Sequence, residues 1–332
     1  MPEVSALLVL VVIGALAFDY INGFHDTANA IATVVSTRVL SPTMAILMAA
    51  GLNFAGAMVA THVAKTIAGD IVDKGQASEV VVLAAIVGAI FWNLLTWVYG
   101  IPSSSSHALI GGLVGAAMAK GGAAIVTWGG LLKKVIYPLF GSPIAGFLIG
   151  FLIMWSIAAF FKNANPGRAG GVFRKLQVVS SALMAFSHGQ NDAQKSMGII
   201  TLALVSAGFL KEAEVPLWVK LSCAAVMAIG TAAGGWRIIH TVGQKIIRLE
   251  PVHGFAAETA GATVILAAGH YGMPISTTHT ITASIFGVGA SKRFSAVRWN
   301  VARTVVVAWV ITLPATAAVG ALSYWLIRGL ER

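Results

Sequence analysis

Two short polar motifs occur twice in this chain, in the same order and at nearly the same separation. GFHDTANA at Gly23–Ala30 is echoed by GQNDAQKS at Gly189–Ser196, an offset of 166 residues that sets Asp26 on Asp192. GIPSSSSH at Gly100–His107 is echoed by GMPISTTH at Gly272–His279, at an offset of 172. A weaker match sets Thr66-Ile67-Ala68-Gly69 on Thr241-Val242-Gly243-Gln244, at an offset of 175. Preserved order at such close offsets predicts a single duplication and a fold of two related halves. The halves are residues 1–161 and 176–332, joined by a basic linker over 162–175, the least apolar stretch of the chain.

The surroundings of these motifs are hydrocarbon-like. The 332 residues are 57% hydrophobic and only 10% charged, where a soluble domain carries roughly 25% charged residues. Apolar runs recur at Thr43–Val63, Val80–Tyr99, Ser142–Phe161, Leu217–Gly234, Phe255–Gly269 and Asn300–Leu326. A helical span takes about 20 such residues. A membrane barrel would instead show alternating segments of about 10 residues. The expectation is an all-α polytopic protein of the cell membrane, surrounded by lipid.

The net charge of +10 comes from Lys and Arg scattered through short loops. That is the bias of loops beside membrane spans rather than a nucleic-acid footprint. The single Cys223 can close no internal disulfide and sits in an apolar run as a packing residue. Ser5–Phe18 is apolar and Ala15-Leu16-Ala17 resembles a cleavage site, but Glu3 and the lack of Lys or Arg ahead of it argue against a signal peptide. It reads as a retained first helix.

The segments beside the motifs are irregular. Asp19–Gly23 interrupts the first apolar run, leaving only the short stretch Thr27–Val35. Ala108–Ala119, after PSSSSH, is about 18 Å of helix at 1.5 Å per residue, too short for a core of about 30 Å. Such pieces are tolerated where they line a buried cavity. Loop charges bear on orientation. Lys65–Glu79 nets −1 and its counterpart Trp236–His253 nets +2, which favours opposite sides of the membrane. The basic stretches Lys120–Lys134 and Ser291–Arg303 point the other way. The fold taken forward is two inverted structural repeats whose broken or re-entrant helices meet at a midplane site.

Two intramembrane carboxylates, Asp26 and Asp192, each cost roughly 2.5–3.5 kcal/mol to insert. They therefore call for a proton, a cation or a basic partner such as Lys195, unless they merely cap helices. Asn191 and Glu258 belong with this cation- or proton-coupling group. Ser103, Ser104, Ser105, Ser106, Ser276, Thr277 and Thr278 stand where helices start. If two starts converge, their hydroxyls, free amides and positive dipole ends form an oxyanion cradle, to which Asn29, Gln194 and Lys195 add polar contacts. His25, His107, His279, Asn53 and Asn93 are further polar candidates, and Glu258 is the most costly to bury unpaired. Two bare carboxylates would repel an anion until a cation or proton arrives, so coupled anion–cation transport follows from the charges.

GFHDTANA, HGQNDAQK (His188–Lys195), PSSSSH, PISTTH and GWRIIHTVGQKI together resemble the inorganic phosphate transporter family, over essentially the full length and most closely its bacterial low-affinity permeases. The resemblance implies symport of inorganic phosphate with Na⁺ or H⁺, in some members as a metal–phosphate complex. It also implies two inverted repeats, a homodimer, and neither a cofactor nor a structural metal. It carries the signature Asp onto Asp26 and Asp192, and the hydroxyl clusters onto Ser103–Ser106 and Ser276–Thr278. Where the Na⁺-coupled eukaryotic branch has a Glu in each half, this chain has Glu258 and, in the other half, Asn53, which leaves H⁺ open as the coupling ion.

Two rival readings are a sulfate or other oxyanion symporter and an intramembrane serine hydrolase. Carboxylate acceptors suit a protonatable oxyanion, which favours phosphate over sulfate. The hydrolase needs one nucleophile beside one base. Both clusters here are duplicated, and His107 directly follows Ser106 with no separate base, so the chain is not expected to be an enzyme.

Overall fold

The computed structural model describes residues 4–244 and 246–330; Glu3 and Lys245, which entered the charge arguments above, lie outside them. The first half runs α1 (Ala6–Ser36), α2 (Pro42–Ala57), α3 (His62–Gly69), α4 (Glu79–Tyr99), α5 (Ser105–Gly121) and a short α6 (Trp128–Gly130), which continues through a π-helical turn into α7 (Tyr137–Phe160). The second runs α8 (Pro166–Ser206), α9 (Leu217–Ala233), α10 (Trp236–Gln244), α11 (Pro251–His270), α12 (Thr277–Lys292) and α13 (Trp299–Leu330). The order repeats: a long helix, a bent pair, a spanning-length helix, a slightly shorter helix behind a Ser/Thr motif, a 3₁₀ turn and a final long helix. Only residues 161–165 separate the two sets, because Asn165 caps α8 and Pro166 opens it.

By length and composition α1, α4, the Trp128–Phe160 run and α13 can each cross a membrane, and the bent pairs α2–α3 (65°) and α9–α10 (72°) bring the total to six. Large apolar side chains line their outer faces. On α7 these are Phe140, Ile144, Leu148, Leu152 and Trp155, all more than half exposed and spaced to form one stripe.

The breaks fall elsewhere than the sequence suggests. Asp19–Gly23 does not interrupt α1, and the Thr43–Val63 run is the one that splits, between Ala57 and His62. The misleading residue is Gly23. A Cβ there would lie 2.6 Å from the Met227 carbonyl oxygen, so this glycine admits α9 rather than ending a helix. Gly189 in the unbroken α8 admits α2 in the same way, with 2.2 Å to the Asn53 oxygen. Asp26 and Asp192 are therefore helix-interior residues and cap nothing. Gly100 and Gly272 do act as turns: their left-handed φ of 63° and 65° ends each preceding helix and turns the chain into a Pro-Ser motif.

The two halves interlock. α2 and α3 pack on α8, while α9 and α10 pack on α1; α7 covers α11 and α12, while α13 covers α4 and α5. Two apolar clusters result. α1 enters the first at Leu8–Phe18 and the second at Ala28–Val34, whereas α8 contributes Met184 and Ala185 to the second and Ala193–Leu204 to the first. The long helices thus run through the clusters in opposite order, and the polar segments of both motifs lie between the clusters.

Candidate functional site

The helices α5 and α12 meet head to head; at 17 and 16 residues they are longer than the 12-residue stretch expected from Ala108–Ala119. The Ser106 hydroxyl donates to the Ile275 carbonyl at 2.7 Å, and the His107 and His279 rings lie 5.0 Å apart. Ser104 and Ser276 cap the two helices by accepting from the amides of His107 (3.2 Å) and His279 (3.1 Å). The amides of Ser105, Ser106, Thr277 and Thr278 precede the first helical bond and have no partner within their helices. Four such donors and two positive dipole ends face one region, the arrangement that holds an oxyanion.

The carboxylates face the same place. Asp26, His188 and Asp192 each present a ligand atom within 4.8 Å of the other two, and all three are buried. Asp26 accepts from Ser105 at 3.0 Å and from Thr278 at 3.4 Å. His25 Nδ1 lies 2.7 Å from it, and the other ring nitrogen 3.1 Å from Thr96. Asp192 accepts from Thr277 at 3.3 Å and pairs with Lys195 at 2.8 Å. Asn29 donates to both Thr277 and Thr278, at 3.2 and 2.8 Å. Hydroxyls and carboxylates therefore form one continuous site.

His188 carries information about charge. The Asn53 amide nitrogen donates to Thr231 at 2.8 Å, so its oxygen faces His188 Nδ1 at 3.1 Å and that nitrogen carries the proton. The opposite nitrogen of a neutral ring then aims its lone pair at an Asp192 oxygen 3.3 Å away. Two lone pairs at that distance call for a proton or a cation between them. The second oxygen of Asp192 has no hydrogen-bond partner either.

Other candidates have separate placements. Ser103 donates to Thr96 at 2.9 Å and Asn93 to Ser105 at 3.2 Å, both one step behind the cradle. Asn191 donates to the Met273 carbonyl at 3.4 Å, at the entry to α12. His107 and His279 are fully buried with unpartnered ring nitrogens, and His279 stacks on Trp309 at 4.0 Å. Gln194 lies outside the cradle, its side-chain oxygen accepting from the amides of Val63 (2.8 Å) and Ala64 (3.1 Å), where it satisfies the start of α3. Glu258 is not brought to the aspartates. It accepts from Thr33, Ser180 and Gln177 (the last at 3.2 Å) in a second buried cluster. Thr33 stands seven residues beyond Asp26, about 10 Å along α1.

Thr96 and the role of His188 escape the sequence reading. The four-residue spacing of His188 and Asp192, one face of a helix, was the available signal.

The family model described as "Phosphate transporter family" matches residues 22–320. A Bacillus subtilis protein described as "Probable low-affinity inorganic phosphate transporter" is 51% identical, with 97% of each chain covered. A Rhizobium meliloti protein of the same description is 52% identical over 96% of each. Among solved structures, one titled "The sodium-dependent phosphate transporter" superposes with a TM-score of 0.90 at 26% identity, covering 98% of this chain and 99% of that one.

Proposed function

This chain belongs to the phosphate transporter family, and from that premise we propose that it imports inorganic phosphate by symport with a cation, Na⁺ or H⁺. It is a multi-pass protein of the cell membrane and its relatives are transporters, so the hydrolase reading falls away. The observation that carries symport is the shared site. An anion cradle of helix N-termini stands in contact with two carboxylates and, among the described residues, one fixed cation, Lys195. Phosphate entering that site adds negative charge to a buried centre, and a co-bound cation offsets it.

The repeats are inverted in this reading. The opposite passage of α1 and α8 through the two apolar clusters supports it, as does the exchange of bent pairs between halves. The homodimer implied by the resemblance is part of the same proposal. His188 also favours a second form of the substrate. An imidazole nitrogen beside two carboxylates suits a divalent ion better than Na⁺, consistent with phosphate arriving as a metal–phosphate complex.

Protein in liposomes should take up radiolabelled phosphate under an imposed Na⁺ or H⁺ gradient, with sulfate failing to compete. Comparing uptake with and without Mg²⁺ separates free phosphate from the complex. Asp26→Asn should lower uptake about thirtyfold, the worth of roughly 2 kcal/mol from a charged hydrogen-bond acceptor. Normal gradient-driven uptake by that variant, or none by the wild type under either gradient, would sink the symport reading.

A further inference from the structure

Apart from the central pair and Glu258, one further carboxylate among the described residues lies fully buried. Asp19 is 0% exposed, and neither of its oxygens has a hydrogen-bond partner. Asn22, one turn further along α1 and on the same face, is equally buried, and both its amide atoms are unpartnered. Ser196 of α8 stands against the Asp19 carboxyl, yet its hydroxyl also lacks a partner that satisfies it. Five orphaned polar atoms in one place mark a site made for something. An isolated buried carboxylate is far more expensive than a paired one.

The donors define the occupant. Two carboxylate oxygens, an amide oxygen and a hydroxyl form an all-oxygen set, which suits a hard cation. Lys195 and Asp192 act on Asp19 electrostatically from α8. The nearby ammonium favours one positive charge over two. The set is also one-sided, since the motif offset of 166 sets Asp19 on Ala185, Asn22 on His188 and Ser196 on Ala30. The other half therefore carries no copy of this set.

We propose that Asp19, Asn22 and Ser196 form a Na⁺ site separate from the Asp26–Asp192 centre, and that filling it favours phosphate binding. The second clause rests on the transport reading; the first does not. Na⁺ here neutralises Asp19 and leaves the Lys195 charge to the central site. Asp19 stands seven residues, about two turns, before Asp26 on α1, so one rigid helix joins the two places.

The test is thermal unfolding of purified protein in detergent without phosphate, titrated with NaCl against choline chloride at several fixed pH values. Wild type should be stabilised by Na⁺ and not by choline, as linkage requires for a ligand of the folded state. Asp19→Asn should lose most of that shift, and Asn22→Ala and Ser196→Ala should each raise the half-maximal Na⁺ concentration about fivefold, the worth of one neutral contact. A wild-type shift in Asp19→Asn overturns the site, as does stabilisation that follows pH instead of Na⁺. If Asp19→Asn does not fold, the two milder variants decide, and unchanged Na⁺ dependence in both overturns the proposal. Intact Na⁺ stabilisation in a protein that moves no phosphate would reject the transport reading alone.

Discussion

Asp26 and Asp192 hold matching places in the two halves but keep different company. Asp26 is surrounded by hydroxyls and His25, a ring directly beside it in sequence. Asp192 stands between His188 one turn before it and Lys195 one turn after. At the position of Lys195 the first half has Asn29, which turns to the hydroxyls of α12 instead of to Asp26. The matched motifs thus sit on a shared scaffold of two crossing long helices and two opposed helix starts. A single difference, amide for ammonium, sets them apart: Asp192 is paired with Lys195, whereas Asp26 has hydroxyls and an imidazole beside it and no ammonium.

The sharpest way to break that contrast is to neutralise each carboxylate in turn. Asp192→Asn strands a buried ammonium, and breaking a buried pair from one side costs about 3–5 kcal/mol. Asp26→Asn removes an acceptor from neutral hydroxyls, which costs about 1–3 kcal/mol. Thermal unfolding in detergent should rank them in that order. Asp192→Asn combined with Lys195→Met should recover much of the loss, because removing both partners of a buried pair is often close to neutral. Equal destabilisation by the two single substitutions would show that the halves do not differ as described.

The polar centre was legible in the sequence because repetition needs no knowledge of packing. Asp26, Asp192 and the two hydroxyl clusters stand out as matched words in an apolar text. What stayed hidden depends on distant partners. Gln194 reads like its neighbours Asn191 and Lys195, but its partners are backbone amides some 130 residues away, at the start of α3. His188 reads as part of a motif, but Asn53 of α2 fixes which of its nitrogens carries the proton. Gly23 was misleading for a different reason. Glycine either ends a helix or admits a neighbour, and only the crossing of α9 over α1 decides which.

The glycine crossings give a second, smaller contrast. A methyl group on Gly189 would lie 2.2, 2.4 and 2.6 Å from backbone atoms of Asn53, against 2.6, 2.9 and 3.0 Å for one on Gly23 at the α9 crossing. Backbone cannot rotate aside, so both substitutions overpack, at about 1–3 kcal/mol. Gly189→Ala should melt lower than Gly23→Ala. It should also disturb His188, whose partner Asn53 would be the residue pushed back. The reverse order would mean that α2 yields more readily than α9.

The smallest expected difference separates the two places the duplication relates to Glu258. Glu258, Ser180, Gln177 and Thr33 fall on Ile86, Gly14, Val11 and Ile199. The counterpart contact is present: a methyl group on Gly14 would sit 3.3 Å from Ile86, where Ser180 donates to Glu258. One cluster is held by hydrogen bonds and the other by apolar packing, with Val11, Ile86 and Ile199 all buried. In Glu258→Gln the side-chain oxygen still accepts from Thr33 or Ser180, so the loss should be about 1 kcal/mol. Ile86→Val removes one methylene and should cost a similar 0.5–1.5 kcal/mol. Near-equal melting of the two variants is expected, because a satisfied polar cluster and a filled apolar one are comparable ways of joining α1 and α8 to a third helix, α11 in one case and α4 in the other. A much larger loss in Glu258→Gln would mean that the full charge is what holds Thr33, Gln177 and Ser180 in register across α1, α8 and α11.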